Sequence, residues 1–458
     1  MQQELAGILT ISDLKTHVAH EVMIPGGAAR LRVRIEYSRG PGLGHMLCLS
    51  LFDSGGFRGS GHRDGTMNGG KAIHEVCLSP DAATPGYFPG SVPAGALRIF
   101  IHAHRIVPEE ACRYRLVVEW DEGPVPGAHA VRAAASARAA PSRVTRKPAW
   151  YRGDLHAHTV HSDGDWDIPA LLSEAREAGL DFVALTEHNT TSHLLVIGEL
   201  SDPEPLIIPG MELTTFRGHA LSLGTREWID WGVLRQDGMS GIAGDVRRQG
   251  GLLVIAHPRA EGDPACTGCD WRFAEMMPGF APAVEVWNGL WAGDSNNERA
   301  LALWYEWLNQ GSRLAATAGS DAHGAGGLLA GVGRNVVWSE GLTGEAILGS
   351  IAAGRLYLSR GPYLELIAAS GGREAGMGET LVAESADIRT VWRGCPSGSL
   401  LRLVGDGAVL SEERAEGGGT RRWDGVRARW CVAELRDRTG EMLALTNPVY
   451  LDPVGAAS

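Results

Sequence analysis

Two histidines one residue apart, with an aspartate shortly after them, form the part of the chain with the clearest chemical potential. His156, His158 and Asp163 lie within residues 154–164, DLHAHTVHSDG. Alternate residues of an extended strand point to the same face, so both imidazoles could reach one metal ion. A carboxylate just past the strand end is well placed to complete or extend such a site. The residue types and their spacing therefore predict a metal site in this segment.

A second pair with the same spacing, His102 and His104, lacks such neighbours. No strand ends carrying acidic residues or histidines follow it in that part of the sequence. Because polar residues within an apolar strand are more often structural than functional, we interpret this pair as part of an ordinary strand.

Further histidines and carboxylates occur at or just beyond the ends of later predicted strands. The full set of candidate ligands is His156, His158, Asp163, His188, Glu212, His219, His257, Asp321 and His323. One polar residue at a strand end is ordinarily explained by hydrogen bonding and solvation at the rim of the sheet. Nine such residues favour a shared metal site, because the carboxyl ends of the strands of a βα barrel meet at one mouth.

The chemistry of these donors limits the metals and the reaction. Nitrogen and oxygen ligands without a cysteine suit Zn, Mn or Fe. Nine donors exceed the needs of one ion, so two or three divalent ions are predicted, with Glu212 free to bridge. Such a cluster acidifies bound water and holds the substrate oxygen, so the expected chemistry is hydrolysis by a metal-bridging hydroxide.

The hydrophobic pattern divides the chain into four parts. Residues 1–121 show short alternating apolar runs separated by Gly, Pro and Asp, which is typical of an antiparallel β-sandwich. Residues 122–148, rich in Ala, Pro and Arg, are predicted to be a linker. Residues 149–359 alternate strands and helices, which indicates an α/β barrel. Residues 360–458 return to strands and turns, which indicates a small C-terminal β domain.

Within the predicted barrel, helices are expected at residues 168–178, 242–249, 297–310 and 344–353. The first strand is predicted at residues 153–159. The apolar run at residues 252–256 is typical of a strand buried on both faces of a parallel sheet. In the N-terminal region, the glycine-rich residues 55–61 do not lead into a helix and are interpreted as a surface loop.

The net charge, the cysteines and the lengths of the apolar runs limit which partners and which cellular compartment we expect. A net charge of −12 and a pI near 5.7 argue against nucleic acid, since phosphate backbones need a concentrated positive surface. The seven cysteines, an odd number, are interpreted as reduced thiols, and Cys266 and Cys269 as part of a loop. No signal peptide is evident, and no apolar run approaches the ~20 residues that span a bilayer. We therefore expect a cytoplasmic protein with a small-molecule substrate and no membrane partner.

Several of these motifs together resemble the polymerase-and-histidinol-phosphatase (PHP) superfamily of metallohydrolases. The strings that carry the resemblance are DLHAHT and SDG within residues 154–164, TEHN at 186–189, GME at 210–212, AHP at 256–258 and SDAH at 320–323. They occur in the order typical of that family and span residues 150–360. The flanking strings GGFRG at 55–59 and LTNP at 445–448 further resemble the carbaryl-hydrolase-like branch, in which a PHP domain lies between β domains.

The resemblance implies a distorted seven-stranded βα barrel and a sharing of the ligands among ions. The implied groups are His156, His158, Glu212 and Asp321 around one ion, Glu212, His219 and His257 around a second, and Asp163, His188 and His323 at a third. Two positions depart from the family pattern. His219 lies two residues before the usual position of its ligand, and Glu187 stands where many members have Asp.

Two further residues are candidates for catalysis. Arg259 could hold an anionic leaving group or phosphate through a forked contact, or be a solvated loop arginine. His193 could act as a substrate-side acid or as a hydrogen-bond donor behind the ligands, or belong to a helix start at the surface. We predict a metallohydrolase that cleaves a small phosphoester. A carbamate, carboxyl-ester or amide substrate is the close alternative, and a metal-stabilised binding module is the non-enzymatic one.

Overall fold

The computed structural model of the chain describes residues 1–68, 71–122, 147–200, 203–235, 238–273, 281–328 and 331–453. The predicted linker at 122–148 lies outside these residues except at its two ends. Among the described helices, none combines the length and the hydrophobicity needed to cross a bilayer.

The strands up to Glu122 form two antiparallel sheets. They are β1 Gln2–Leu9, β2 His17–Ile24, β3 Ala28–Ser38, β4 Met46–Asp53, β5 Gly56–Gly61, β6 Thr66–Asn68, β7 Lys71–Leu78, β8 Gly95–Arg105 and β9 Cys112–Glu122. One sheet has the order β1-β9-β3-β7-β6 and the other β2-β8-β4-β5. Alternation explains the shared core, because Leu31, Val33 and Ile35 of β3 are buried while the arginines between them reach solvent.

The glycine-rich segment interpreted as a surface loop is a strand instead. It forms β5 and pairs antiparallel with β4. A Cβ at Gly59, where φ is +132°, would lie 2.4 Å from the Cα of Tyr87. The strand is therefore rich in glycine because another stretch of backbone crosses it closely. Composition favoured a loop because glycine is depleted in ordinary strands.

The central region alternates strands with helices. The strands are β10 Ala149–Asp154, β11 Phe182–Leu185, β12 Leu206–Thr215, β13 Gly218–Leu223, β14 Leu252–Ile255, β15 Ala283–Asn288, β16 Ala315–Gly319, β17 Arg334–Ser339 and β18 Leu356–Ser359. The helices are α1 Ile168–Glu177, α2 Leu194–Ile197, α3 Gly238–Arg248, α4 Asn297–Asn309 and α5 Gly344–Ala352. Helices stand at all four predicted places. Two of them begin at side-chain caps, since Asp167 and Thr343 accept hydrogen bonds from backbone N–H groups.

The central strands form a mixed sheet, whereas the apolar run at residues 252–256 indicated a parallel one. β10, β11 and β12 are parallel neighbours, β13 runs antiparallel to both β12 and β14, and β14, β15 and β16 are again parallel. β10 also pairs antiparallel with β17. The reversal at β13 has a local cause. Only Phe216 and Arg217 separate β12 from β13, a connection that suits a hairpin and is far too short for a crossover helix.

The largest core lies where α3, α4 and α5 pack on the central strands. Trp287 of β15 and Trp304 and Trp307 of α4 are buried in it. Burying a large apolar side chain contributes about 1.5–3 kcal/mol, so these residues anchor the helices to the strands that carry the candidate site.

The strands after Arg360 continue the same hydrogen-bonded sheet. They are β19 Tyr363–Ser370, β20 Arg373–Ala375, β21 Thr380–Val382, β22 Ala386–Gly405, β23 Ala408–Val426, β24 Trp430–Arg436, β25 Met442–Thr446 and β26 Val449–Asp452. β22 and β23 form a long hairpin. β23 was not predicted from the sequence because most of its residues are exposed and only Ala415 is buried, so its apolar pattern is weak. β25 pairs with β18 and ties these strands to the central region.

Candidate metal centre

The first two candidate ligands lie just past a strand end. β10 ends at Asp154, five residues before the predicted end of this strand. His156 and His158 follow on an extended segment in which Ala157, between them, forms a bridge with Ala322. The sequence predicted that alternate residues of this segment face the same side, and the single bridge at Ala157 holds the backbone in the extended form that this requires. Asp154 holds the segment in place by accepting a hydrogen bond from the backbone N–H of His156 at 3.0 Å.

The other ligands come from neighbouring strands. Glu212 lies within β12, and His188, three residues after β11, forms a bridge with it. His257 and Asp321 follow β14 and β16 and have φ values of 24° and 54°. Positive φ is strained for residues with side chains and persists where the surroundings impose it, as functional sites often do. At Asp321 the backbone N–H donates to the carbonyl of His156 at 2.9 Å, which helps to hold this geometry.

Glu212 is the centre of the cluster. Imidazole nitrogens of five histidines lie 2.9–3.4 Å from its carboxylate oxygens, namely those of His156, His158, His188, His219 and His257. Oε2 faces the first three histidines and Oε1 the last two. Glu212 is completely buried, so its charge needs partners inside the protein.

Two aspartates complete the cluster. Asp321 Oδ1 lies 3.4 Å from Nε2 of His156 and 3.0 Å from Nε2 of His158. Asp163 Oδ1 lies 3.4 Å from Nε2 of His188 and 3.2 Å from Nε2 of His323. The structure thus brings all nine predicted ligands into one connected group.

The side-chain atoms of the cluster that lack hydrogen-bond partners, and the distances between the donors, fit the binding of divalent cations. Four buried atoms of the cluster have no hydrogen-bond partner among the residues that the structure describes, namely His156 Nε2, His158 Nε2, Asp163 Oδ1 and Glu212 Oε2. Two donors that each lie ~2.1 Å from one cation are about 3.0–3.4 Å apart at angles of 90–110°. The nitrogen–oxygen separations in the cluster fall almost entirely in that range. Buried donor atoms that lie this close together without hydrogen-bond partners fit the ligands of a common ion.

The grouping of the donors differs in part from the one implied by the family resemblance. Three sets have ligand atoms within 4.8 Å of one another: His158, Asp163, His188 and His323; His156, Glu212 and His257; and His156, His158 and Asp321. His158 thus joins the third predicted site as well as the first. His219 contacts Glu212, but its Nε2 lies 3.2 Å from the carbonyl of Thr267.

Burial and charge set the protonation of the cluster. Burial opposes the charge of Glu212, but His188 and His156 hold its pKa well below the ordinary value. Burial, together with His188 and His323, lowers the pKa of His158 to about 4. His158 is therefore neutral at pH 7 and its nitrogen lone pair is available to a metal ion.

Two buried acidic residues support the ligands and were not predicted to do so. Glu285 lies 3.2 Å from Nδ1 of His156 and accepts a hydrogen bond from the backbone N–H of His257 at 3.0 Å. Glu187 accepts hydrogen bonds from the hydroxyl groups of Thr159 and Ser162. Such contacts orient ligands and their loops. The signal for Glu285 was a lone carboxylate inside the apolar strand β15.

The two candidate catalytic residues remain predictions. His193 is buried, and burial with His161 nearby lowers its pKa to about 3, so it can donate one N–H but carries no charge at pH 7. Arg259 is half-buried two residues after His257. No hydrogen bond or ion pair within the described residues joins either side chain to the nine candidate ligands.

The expectation that all cysteines are reduced is wrong for one pair. Cys266 and Cys269 form a disulfide, while the other five cysteines are free. Their Cα atoms are 5.5 Å apart, within the range that a disulfide spans. The disulfide lies beside the centre, with Cys269 Sγ 4.0 Å from Nδ1 of His219.

The N-terminal strands also reach the centre, which the sequence did not indicate. The ring of His62, next to β5, lies 4.4 Å from the ring of His188. Arg63 Nε donates a hydrogen bond of 2.7 Å to the carbonyl of Ser162, the residue before Asp163. The interpretation of His102 and His104 as strand residues is correct for their place in β8, but His104 packs against His62.

Comparison with known proteins gives partial matches. No protein-family model matches the chain. An uncharacterized protein of Methanocaldococcus jannaschii is 26% identical over 149 residues, which are 30% of this chain and 81% of that protein. A phosphoribosyl 1,2-cyclic phosphate 1,2-diphosphodiesterase of Eggerthella lenta is 33% identical over 81 residues. That match spans 16% of this chain and only 31% of the diphosphodiesterase.

Similar solved structures share little sequence with this chain. A two-domain protein from Bacteroides vulgatus, containing a predicted PHP-like metal-dependent phosphoesterase, is 16% identical with a TM-score of 0.41. The match covers 67% of this chain and 98% of that one. An amidohydrolase from Chromobacterium violaceum is 16% identical with a TM-score of 0.29, covering 39% of this chain and 89% of its own. Scores of this size do not establish a common fold, so function is argued from the site itself.

Proposed function

We propose that this chain is a metal-dependent hydrolase of the PHP superfamily that cleaves a small phosphoester. One observation carries the proposal: nine nitrogen- and oxygen-bearing side chains converge, and buried donor atoms among them have no hydrogen-bond partner. The partial similarity to a diphosphodiesterase supports a phosphoester as the bond cleaved. The net charge of −12 supports a small molecule over nucleic acid as the substrate.

The same proposal includes the architecture expected from the sequence. The seven strands β10 to β16 would form a distorted βα barrel, with β17 beside β10. Residues 1–121 and 360–458 would be β domains flanking it, as in the carbaryl-hydrolase-like branch. The order of β10 to β16 along the sheet supports this arrangement.

Two or three divalent ions, of Zn, Mn or Fe, fit the donor set. When bound, they would acidify a water molecule and stabilise negative charge on the substrate. Two glutamates support the binding of such ions. Glu212 faces histidines with both carboxylate oxygens, which suits a carboxylate shared between two cations. Glu285 holds the ring of His156 through Nδ1, so that Nε2 faces the cluster.

Arg259 is the proposed contact for the phosphoryl group. It follows the ligand segment of His257 directly and forms no ion pair within the described residues. A guanidinium without an acidic partner is free to bind two phosphate oxygens at once. His193 is proposed to donate a hydrogen bond on the substrate side, because both of its ring nitrogens are buried and have no hydrogen-bond partner among the described residues.

The test combines metal analysis with a hydrolysis screen. Purified protein would be analysed for Zn, Mn and Fe, and assayed with p-nitrophenyl phosphate, its diester and an aryl carbamate. The variant His156→Ala removes one central donor. His20→Ala is the matched control, because His20 lies on β2 and contacts Tyr114 instead of the centre. We expect phosphoester hydrolysis to fall more than about 100-fold in His156→Ala and to be unchanged in the control.

Each alternative has its own outcome. Unchanged activity in His156→Ala would show that His156 is not an essential ligand. Hydrolysis of the carbamate but not of the phosphoesters would favour the carbamate, ester or amide reaction. Bound metal without hydrolysis of any substrate would favour a metal-stabilised binding module.

A further inference from the structure

We propose a second, sulfur-containing metal site in the N-terminal region, formed by Cys48, His62 and His104. The ligand atoms of these three residues all lie within 4.8 Å of one another. None of them belongs to the nine donors of the candidate centre, and the site does not depend on the proposed hydrolase function.

Three neighbouring strands bring the residues together. Cys48 lies on β4 opposite His102 of β8, and His104 lies two residues further along β8, on the same face of the sheet. His62 comes directly after Gly61, the last residue of β5, which pairs with β4. The register of paired strands, and not a free loop, therefore fixes the spacing of the donors.

His104 provides the evidence that something binds here. It is 2% exposed, and within the described part of the chain neither of its ring nitrogens has a hydrogen-bond partner. Its neighbour on the strand, His102, is equally buried but fully bonded, with Ser50 Oγ and His17 Nδ1 each 2.7 Å from a ring nitrogen. Native proteins rarely bury an imidazole without partners. On the same strand, His102 has hydrogen-bond partners for both ring nitrogens, whereas His104 lies beside the thiol of Cys48 and the imidazole of His62.

The other two donors complete the set. Cys48 is a free cysteine, 1% exposed, and its Sγ lies 3.9 Å from Nδ1 of His62. A sulfur and a nitrogen bound to one tetrahedral zinc ion are about 3.6 Å apart, so a small adjustment would bring both into coordination. The ring of His62 lies 4.6 Å from that of His104, which keeps all three donors on one side.

This donor set selects a different metal from that of the candidate centre. One thiolate and two imidazoles suit Zn²⁺, which binds such ligands tetrahedrally and, with three protein donors, keeps one position open. Carboxylate-rich sites accept Mn²⁺, whereas a thiolate disfavours it. The ring of His62 also lies 4.4 Å from that of His188, so the sulfur site would border the candidate centre.

The test uses cobalt, because a thiolate bound to Co²⁺ gives a near-ultraviolet charge-transfer absorption that nitrogen and oxygen ligands do not. The full-length protein would carry Cys266→Ser and Cys269→Ser, so that reduction of this disulfide cannot supply a thiol next to His219. This protein would be titrated with Co²⁺. Cys48→Ser is then added, with Cys112→Ser as the control, since Cys112 is a buried free cysteine of the same region. We expect the absorption with Cys48 present and in the control, and its loss together with one Co²⁺ equivalent in Cys48→Ser.

Absence of this absorption when Cys48 is present, or its persistence in Cys48→Ser, would overturn the proposal. Melting temperature and circular dichroism show whether the variants fold. Should Cys48→Ser not fold, His104→Gln decides instead: Co²⁺ affinity at the absorbing site should fall at least about 10-fold, and unchanged affinity would overturn the site. Hydrolysis plays no part in this readout, so failure of the proposed function and failure of this site are distinguished.

Discussion

At the scale of single residues, Glu212 is the side chain on which the centre depends most. Its buried carboxylate faces five imidazoles, and two aspartates extend the group. An uncompensated carboxylate at this depth would be strongly destabilising, whereas cations make the crowding favourable. A shared set of cations therefore explains the whole group of residues, whereas no single residue of the group would indicate one.

Glu285 gives a prediction at this scale. Glu285→Gln keeps the shape of the side chain but weakens its hold on Nδ1 of His156. We expect metal affinity, measured by competition with a chelator, to fall about 10–100-fold while the fold is retained. Glu365→Gln is the matched control, because Glu365 lies on β19 and contacts Tyr363. Equal affinities in the two variants would show that Glu285 does not position the ligand.

The residues of the cluster could be singled out from sequence because their types and strand-end positions are local signals, and their role as metal ligands stays a prediction. All nine candidates lie in the one cluster. Their grouping could not be predicted, since it depends on side-chain directions fixed by distant segments. The contact of His219 with Thr267 and that of His62 with His188 could not be predicted either, because each joins residues far apart in the chain.

At the scale of elements, short connections past the strand ends place the candidate ligands. His156, His188, His257 and Asp321 each lie just after a strand, and the last two hold positive φ values. The four helices were predictable because their apolar periodicity is strong and two have clear capping residues. β5 and β23 were not, because one is built from glycine and the other is mostly exposed.

Gly59 tests the explanation for β5. A methyl group in Gly59→Ala would meet the backbone of Tyr87, at a φ that side chains rarely adopt. We expect the free energy of unfolding in urea to fall by about 1–3 kcal/mol. Gly26→Ala is the control, because a Cβ there meets nothing within 4 Å, and its effect should stay within about 0.5 kcal/mol. A neutral Gly59→Ala would contradict the close approach of the two backbones.

At the scale of the whole molecule, the N-terminal strands contact the loops that carry the ligands. Thr190 Oγ1 donates to the carbonyl of Gly86 at 2.6 Å, and the N–H of Gly86 donates to Ser192 Oγ at 3.1 Å. Together with Arg63, these contacts support the loops next to His188 and Asp163. The sequence could not predict this contact, because its partners are single polar groups in separate parts of the chain.

Arg63 gives a prediction at this scale. Arg63→Ala removes the hydrogen bond to the carbonyl of Ser162, which precedes Asp163. We expect one metal equivalent to lose about 10-fold in affinity, in titrations followed by metal analysis, because the loop that carries Asp163 loses this support. Arg113→Ala, on the exposed face of β9, is the control. Identical titrations for both variants would mean that the N-terminal region does not support the centre.

The most direct measurement is an anomalous-scattering map from crystals of the metal-loaded protein. We predict two or three peaks within the cluster, at least one of them ~2.0–2.2 Å from Glu212 and from a nitrogen of His156. Direct hydrogen bonds between these histidines and carboxylates, with no anomalous peak among them in metal-loaded crystals, would contradict the assignment of the cluster as a metal centre.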